Sequence, residues 1–536
     1  MKTTARRLRR ATLAVTSLSC ALLTSVPAQC AAGFDVVGRN IAQLSEAQSQ
    51  GRVSALQLVD AYLARIARLD RAGPALHSVL AINPQARAQA RALDSERAAG
   101  NLRGPLHGIP LLIKDNIETA DPMPTTAGSL ALAGNLGGRD APLIARLRAA
   151  GAVILGKTNL SEWANIRSSA SVSGWSAVGG QTRNPYALDR NTCGSSSGSA
   201  AAVAASLAAA AVGTETDGSI TCPASMNGLV GIKPTVGLVS RSYVVPISHS
   251  QDTPGPIAHT VADAALLLDV MAGTDPLDQA TREADLRKQA LGDLPKRAGP
   301  SGARIGVLRI EHALPAAKRL FDATVKRLAG AGATMIDVQM PAGADQLGDM
   351  ESTVLLTELK ADLDVYLAST PAAVSTRSLA AVIAFDRQHA AEEMQLFEQE
   401  LFERAQATGG LQDAQYLKAL EGSRLAAGRD GLDKIFSTQQ LQALIAPTDG
   451  PAFMIDAING DAINWSGPGN LPAIAGYPHL TVPMGLIKGL PVGVSVIGPA
   501  WSDAMLLALG AEIQQLIGQV APPTYTRSLA PSNNVR

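Results

Sequence analysis

Two serine- and glycine-rich stretches and one lysine are the parts of this sequence most suited to chemistry. The stretches are Cys193-Gly194-Ser195-Ser196-Ser197-Gly198-Ser199 and Gly213-Thr214-Glu215-Thr216-Asp217-Gly218-Ser219-Ile220, separated by an Ala-rich run that ends at Val212. The lysine is Lys114, which closes the apolar run Leu111-Leu112-Ile113. A serine hydroxyl attacks a carbonyl carbon well only when a neighbouring base accepts its proton. The serines are therefore candidates for nucleophilic chemistry, and Lys114 is a residue to watch.

Two shorter patterns compete with this reading. Gly151-Ala152-Val153-Ile154-Leu155-Gly156-Lys157-Thr158 has phosphate-loop spacing. Such a loop needs its strand before the first glycine, whereas here Ala152 to Leu155 are themselves the strand formers, so nucleotide binding is rejected. Gly194-Ser195-Ser196-Ser197-Gly198 fits G-x-S-x-G and would make Ser196 the nucleophile of a Ser-His-acid α/β-hydrolase. Polar loop sequence from Arg183 to Thr192 stands where that motif needs a strand, and His249, His259, His312, His389 and His479 have no catalytic setting. Ser196, Ser197 and Ser199 read as capping and hydrogen-bonding groups.

The elements must bring the two stretches together. A helix over Gly198 to Ala208 would rise about 16 Å, and about five extended residues would return the same distance. Helix out and strand back would set Ser219 beside Ser195, and a helix apolar on every side belongs in the interior. Upstream, residues 40–72 read as one opening amphipathic helix, with Ala55, Leu58, Val59, Tyr62, Ile66 and Leu69 on one stripe and Ser54 as N-cap, and a second helical stretch spans Pro84 to Ala99. Strands are expected at Ala152–Leu155, Ala303–Ile310, Thr334–Met340, Ala443–Ala446 and Val492–Ile497. Strands scattered among helices mean a mixed α/β architecture. Between about 350 and 440 the pattern turns charged and helical, a helical insert over the core. No internal repeat and no long linker interrupts the chain, so one domain over 33–536 is preferred to three.

Composition narrows the function classes. The 536 residues are 46% hydrophobic and 17% charged, which excludes a disordered chain. Lys+Arg and Asp+Glu number 46 each, so the broad basic field needed for nucleic acid or anionic lipid is missing. Residues 1–32 read as a signal peptide: Arg6, Arg7, Arg9 and Arg10, then an apolar Ala11–Val26, then Val26-Pro27-Ala28. Export, periplasmic or secreted, is the expectation, and the apolar run is too short to stay as an anchor. Cys193 and Cys222 read as two small buried thiols, with a disulfide as the alternative. A periplasmic solute-binding protein would share the export signal and the α/β pattern but would not need the serine pair.

Taken in order, several blocks resemble the amidase signature family of serine hydrolases. They are Gly108–Asp115, Gly156–Glu162, Gly194–Pro223, Gly231-Ile232-Lys233-Pro234-Thr235, Asp252-Thr253-Pro254-Gly255-Pro256-Ile257, Gly467–Pro472 and Val482-Pro483-Met484-Gly485. The signature core spans about 40–275. Asp217 stands where the family usually has glycine and Thr221 where it usually has arginine, departures that resemble the bacterial peptide amidases and not the tRNA-linked amidotransferase subunits. The resemblance implies an amidase-signature fold, a mixed central sheet covered by helices on both faces. It also implies Ser219 as nucleophile, Ser195 as bridging serine after a cis peptide bond, Lys114 as terminal base, and backbone N–H groups of Thr216, Asp217, Gly218 and Ser219 as the oxyanion hole. The implied reaction turns a carboxamide into acid and ammonia through an acyl-enzyme. C-terminal peptide amides are the first expectation, aryl, fatty-acyl or other small amides the alternative, and neither metal nor organic cofactor is called for. The chemistry has one demand: at pH 7 a lysine of ordinary pKa costs about 4.6 kcal/mol to deprotonate, so Lys114 must be buried.

Overall fold

Ser54 begins the first long helix by accepting the N–H of Gln57 while the Gln57 side chain returns to the Ser54 N–H, a reciprocal cap. The apolar stripe after it is buried as expected, but the 40–72 region is two helices, Ile41–Ser49 and Ala55–Arg65, the second running on as a wider turn to Asp70. In the computed structural model, residues 34–288, 301–341 and 343–529 are described. The expected signal segment 1–32 lies outside them.

Among the described residues, eleven strands form one sheet and two more form a small hairpin. In chain order they are β1 (Val79–Ile82), β2 (Pro110–Lys114), β3 (Val153–Thr158), the hairpin β4 (Trp175–Ser176) and β5 (Gly180–Gln181), and β6 (Ala210–Glu215). There follow β7 (Val230–Lys233), β8 (Thr253–Ala258), β9 (Arg304–Leu308), β10 (Thr334–Val338), β11 (Ala443–Pro447), β12 (His479–Ile487) and β13 (Leu490–Ile497). The large sheet runs β1-β3-β2-β6-β8-β7-β12-β13-β11-β9-β10. β2 is parallel to both β3 and β6, β9 is parallel to β10 and β11, and the central strands pair antiparallel. Every residue of β2, β3, β6, β8 and β11 is buried, so helices and loops cover the centre of the sheet on both faces.

The span Gly151–Thr158, which matched a phosphate loop, is largely strand β3. Its Lys157 is buried and donates to the Ile117 carbonyl (2.6 Å) and to Thr125 Oγ1 (2.7 Å). The expected insert is a succession of helices from Leu347–Ala368 to Asp433–Gln439, entered from β10 and left into β11. Leu356, Leu359 and Leu363 on its first helix pack in one apolar cluster with Trp163 and Ala127 from the signature core. No helix among the described residues is long and apolar enough to cross a membrane.

Candidate active site

Strand β2 delivers Lys114, and the parallel strand beside it, β6, ends at Glu215 just before the Thr216–Ser219 turn. The chain reaches β6 from the first serine stretch through a helix, Ser197–Ala204, shorter than the Gly198–Ala208 expected. Ser206 adopts a positive φ and the Leu207 N–H turns back to the Ala202 carbonyl at 2.8 Å, which stops the helix early and lets the six-residue strand return. Both serine stretches therefore end at the same place. The Ser196 N–H donates to the Ser219 carbonyl at 3.1 Å, and the Gly194–Ser195 peptide bond is cis. Cys193 and Cys222 form a disulfide, with Cα atoms 6.0 Å apart. The reading of these cysteines as free thiols is thus corrected: the same return of the chain that aligns the serines aligns the two residues flanking them.

Lys114 Nζ lies 2.8 Å from Ser195 Oγ, and both residues are 0% exposed. Its other neighbours are Thr214 Oγ1 at 2.8 Å and the Thr214 carbonyl at 3.2 Å. A neutral amine has two hydrogens and one lone pair. The two Thr214 oxygens can take the hydrogens, which leaves the lone pair for the Ser195 hydroxyl. Burial lowers the Lys114 pKa to about 7, and the Asp252 and Glu215 carboxylates pull it part of the way back up. Asn116 Nδ2 donates to Thr214 Oγ1 at 2.9 Å and so steadies the same threonine.

Ser219 is 8% exposed and, with Thr216, Asp217 and Gly218, lines a pocket of about 480 Å³. Among the described residues the N–H groups of Asp217, Gly218 and Ser219 donate to no protein acceptor. The next two, of Ile220 and Thr221, are both held by Glu215 Oε2, at 2.7 and 2.9 Å, and the Thr221 hydroxyl reaches the same oxygen at 3.2 Å. Glu215 thereby shapes the turn while leaving the earlier amides free for a ligand. Gly218 sits at φ +74°, a left-handed geometry that a Cβ would strain. Thr216 Oγ1 donates to Asp252 Oδ1 at 2.6 Å, and Asp252 Oδ2 accepts the Ile247 and Ser248 N–H groups, fastening the following loop to the turn.

Ser196, the alternative nucleophile, is tied to the backbone: its hydroxyl donates to the Thr214 carbonyl at 3.0 Å and accepts the Thr214 N–H at 3.2 Å. Ser197 Oγ donates to the Cys193 carbonyl at 2.7 Å, and Ser199 Oγ pairs with Thr158 Oγ1 at 2.8 Å, the bonding roles expected of them. Sequence reasoning assigned no role to Thr214, Asn116, Glu215 or Asp252, although all four lie in or beside the blocks that carried the resemblance. It also passed over Asp449 and Asp461, which line the pocket from far along the chain. A second cavity of about 480 Å³, between Arg65, Arg68 and the segment around Val520–Tyr525, is lined by none of the predicted catalytic residues.

The profile of the Amidase family matches residues 57–507. The native peptide amidase of Stenotrophomonas maltophilia superposes with a TM-score of 0.84 at 48% identity, over 91% of this chain and 98% of that one. A probable amidase of Arabidopsis thaliana is 38% identical over 95% of this chain and 96% of its own length. A glutamyl-tRNA(Gln) amidotransferase subunit from Salinispora tropica is 35% identical over 91% of this chain and 99% of its own.

Proposed function

Starting from a chain that belongs to the amidase signature family and hydrolyses amide C–N bonds, we propose that Ser219, Ser195 and Lys114 carry the reaction and that C-terminal amides of peptides are its substrates. The observation that carries the first part is the 2.8 Å approach of the enclosed Lys114 amine to Ser195 Oγ. Ser219 Oγ attacks the amide carbonyl carbon. Its proton passes to Ser195 Oγ, whose own proton passes to the Lys114 lone pair. The charge that develops on the carbonyl oxygen meets the unspent N–H groups of Asp217, Gly218 and Ser219, fixed dipoles that need no reorganisation. As the C–N bond breaks, Lys114 returns its proton through Ser195 to the leaving nitrogen and ammonia departs. Water then attacks the Ser219 ester by the same relay, releasing the carboxylic acid and restoring the serine.

The substrate class is supported by the 48% identity to a peptide amidase along nearly the whole chain, and by Asp217 and Thr221 at the two variable signature positions. Export, directed by residues 1–32, is supported by the Cys193–Cys222 disulfide, a bond that persists in oxidising compartments. Ammonia release from peptide amides, set against aryl and fatty-acyl amides of similar size, tests the class: faster turnover of the acyl amides sinks it. Mass spectrometry after fluorophosphonate treatment tests the nucleophile, because an adduct on Ser196 would restore the α/β-hydrolase reading. N-terminal sequencing of the mature protein locates any cleavage.

A further inference from the structure

The pocket beside Ser219 is one-sided in its polarity. Asp217, Asp449 and Asp461 all line it, and among the described residues no lysine or arginine does. Asp461 accepts from the Ser173 N–H (3.0 Å) and from Asn191 Nδ2 (3.3 Å), neutral donors both. Glu351, on the first helix of the insert, adds a fourth carboxylate close by and is held by Gln251 Nε2 at 2.7 Å. Burial, and after it the Glu351, Glu215 and Asp449 carboxylates, raise Asp217 well above the ordinary carboxylate range against the smaller opposite pull of Lys233, which is buried and donates to the Pro234 carbonyl at 3.2 Å.

His479 is an independent pointer to the same ligand chemistry. It lines the pocket and is 1% exposed, and its Nδ1 has no hydrogen-bond partner among the described residues. The Ser495 hydroxyl donates its one proton to Thr448 Oγ1 at 3.0 Å. The 2.6 Å contact between His479 Nε2 and Ser495 Oγ must then be donated by the imidazole, which leaves Nδ1 a bare acceptor. Burial holds this ring neutral, lowering its pKa to about 3, with the Lys233 charge acting in the same direction. The open side of Gly469 brings the groups together: a Cβ built there would stand 3.8 Å from Asp217 Oδ1 and 3.9 Å from His479 Cε1.

Carboxylates and an imidazole lone pair around one cavity, with no lysine or arginine among the described residues that line it, suit a ligand that brings several N–H donors and a positive charge. Low-dielectric walls lined by one sign of charge also concentrate the field on such a ligand. We propose that this amidase selects substrates whose acyl part carries an ammonium or guanidinium group, held by Asp449, Asp217 and Asp461 with His479 as a further acceptor. The proposal rests on Ser219 being the nucleophile that this pocket serves. Burial raises Asp449 and Glu351 to about 7, with the Glu215 charge adding a smaller rise at Asp449, so a bound cation would favour their ionised forms.

The test is ammonia release by the full enzyme on pairs matched in size. One pair sets an arginine-terminated peptide amide against its citrulline counterpart, the other a free-amino dipeptide amide against its N-acetyl form. The charged member of at least one pair should show a kcat/KM higher by about tenfold or more, mostly through KM. The responding pair tells whether a guanidinium or an α-ammonium is the group recognised. A ratio below that in both pairs overturns the proposal and leaves the acceptors to the neutral carboxamide NH2. In Asp449→Asn, and separately Asp461→Asn, the ratio is measured within one preparation, so the folded fraction cancels. It should fall in at least one of the two variants, and an undiminished ratio in both overturns the assignment. If no peptide amide is turned over, an aminomethyl-substituted benzamide against its methyl counterpart still reads the charge preference, so losing the peptide reading and losing the charge preference are separate results.

Discussion

Lys114 Nζ and Ser195 Oγ are 2.8 Å apart inside a space that no solvent reaches, with the lysine pKa brought by burial to about 7. A relay that starts from the free amine works only above that value. We expect kcat/KM for a neutral amide to fall about tenfold per pH unit below 7 and to level off above it. A pH–rate profile with its acid limb near 10, the ordinary lysine range, would show that burial does not lower the Lys114 pKa and would sink the free-amine relay at neutral pH.

The two serines should differ in what their loss costs. Ser219→Ala removes the atom that forms the ester, so turnover should vanish while circular dichroism stays unchanged. Ser195→Ala leaves the nucleophile but breaks proton transfer, a contribution of about 10²- to 10⁴-fold. It should also leave Lys114 Nζ facing only Thr214. Residual activity in Ser219→Ala above that in Ser195→Ala would reverse the two roles.

The cysteine pair gives a third measurement. Cys193 precedes the cis bond that sets Ser195, and Cys222 lies three residues past Ser219, so their disulfide staples the two halves of the site across a separation of 29 residues. Closing a loop of that size restricts the unfolded chain by about 3–4 kcal/mol. The Cys193→Ala/Cys222→Ala double variant should unfold at lower temperature and lose kcat more than KM, since its effect is on how the serines face each other. Equal melting temperature with and without reductant would mean that the bridge contributes nothing to stability.

How much of this was legible beforehand depended on the element. The buried stripe from Ala55 to Leu69 and the strands at 304–308, 334–338 and 443–447 show in local periodicity, because their partners lie on whichever side the apolar residues face. β8 does not show. Thr253-Pro254-Gly255-Pro256-Ile257-Ala258 has two prolines, a sign of an edge or a turn, yet it lies between β6 and β7. The prolines are two apart and so face one neighbour, and the β7 register covers only Ile257 and Ala258. Within the site, Lys114, Ser195 and Ser219 could be singled out because type and order mark them. Asp449 and Asp461 could not, since their place in the pocket is created by the return of β11 and the loop after it, more than 200 residues from Ser219 in sequence. The disulfide failed for a related reason: two cysteines beside two glycine turns show only that they are near in sequence to the serines, and distance in space is fixed by where the helix stops.

Glu215 offers the most discriminating variant because it is tied to both the turn and the base. Its Oε2 holds the Ile220 and Thr221 N–H groups, and its charge favours the protonated form of Lys114. Glu215→Ala leaves two buried N–H groups and the Thr221 hydroxyl without their acceptor, at about 1–3 kcal/mol for each unpaired N–H, and should lower both melting temperature and kcat. Glu215→Gln keeps an acceptor oxygen for the turn and removes only the charge. With less negative potential near the amine, the protonated lysine is less favoured and its pKa falls, so the acid limb of the pH–rate profile should move to lower pH in Glu215→Gln. A purely structural glutamate would change the height of that profile without displacing the limb, and an unmoved limb would therefore separate Glu215 from the proton relay.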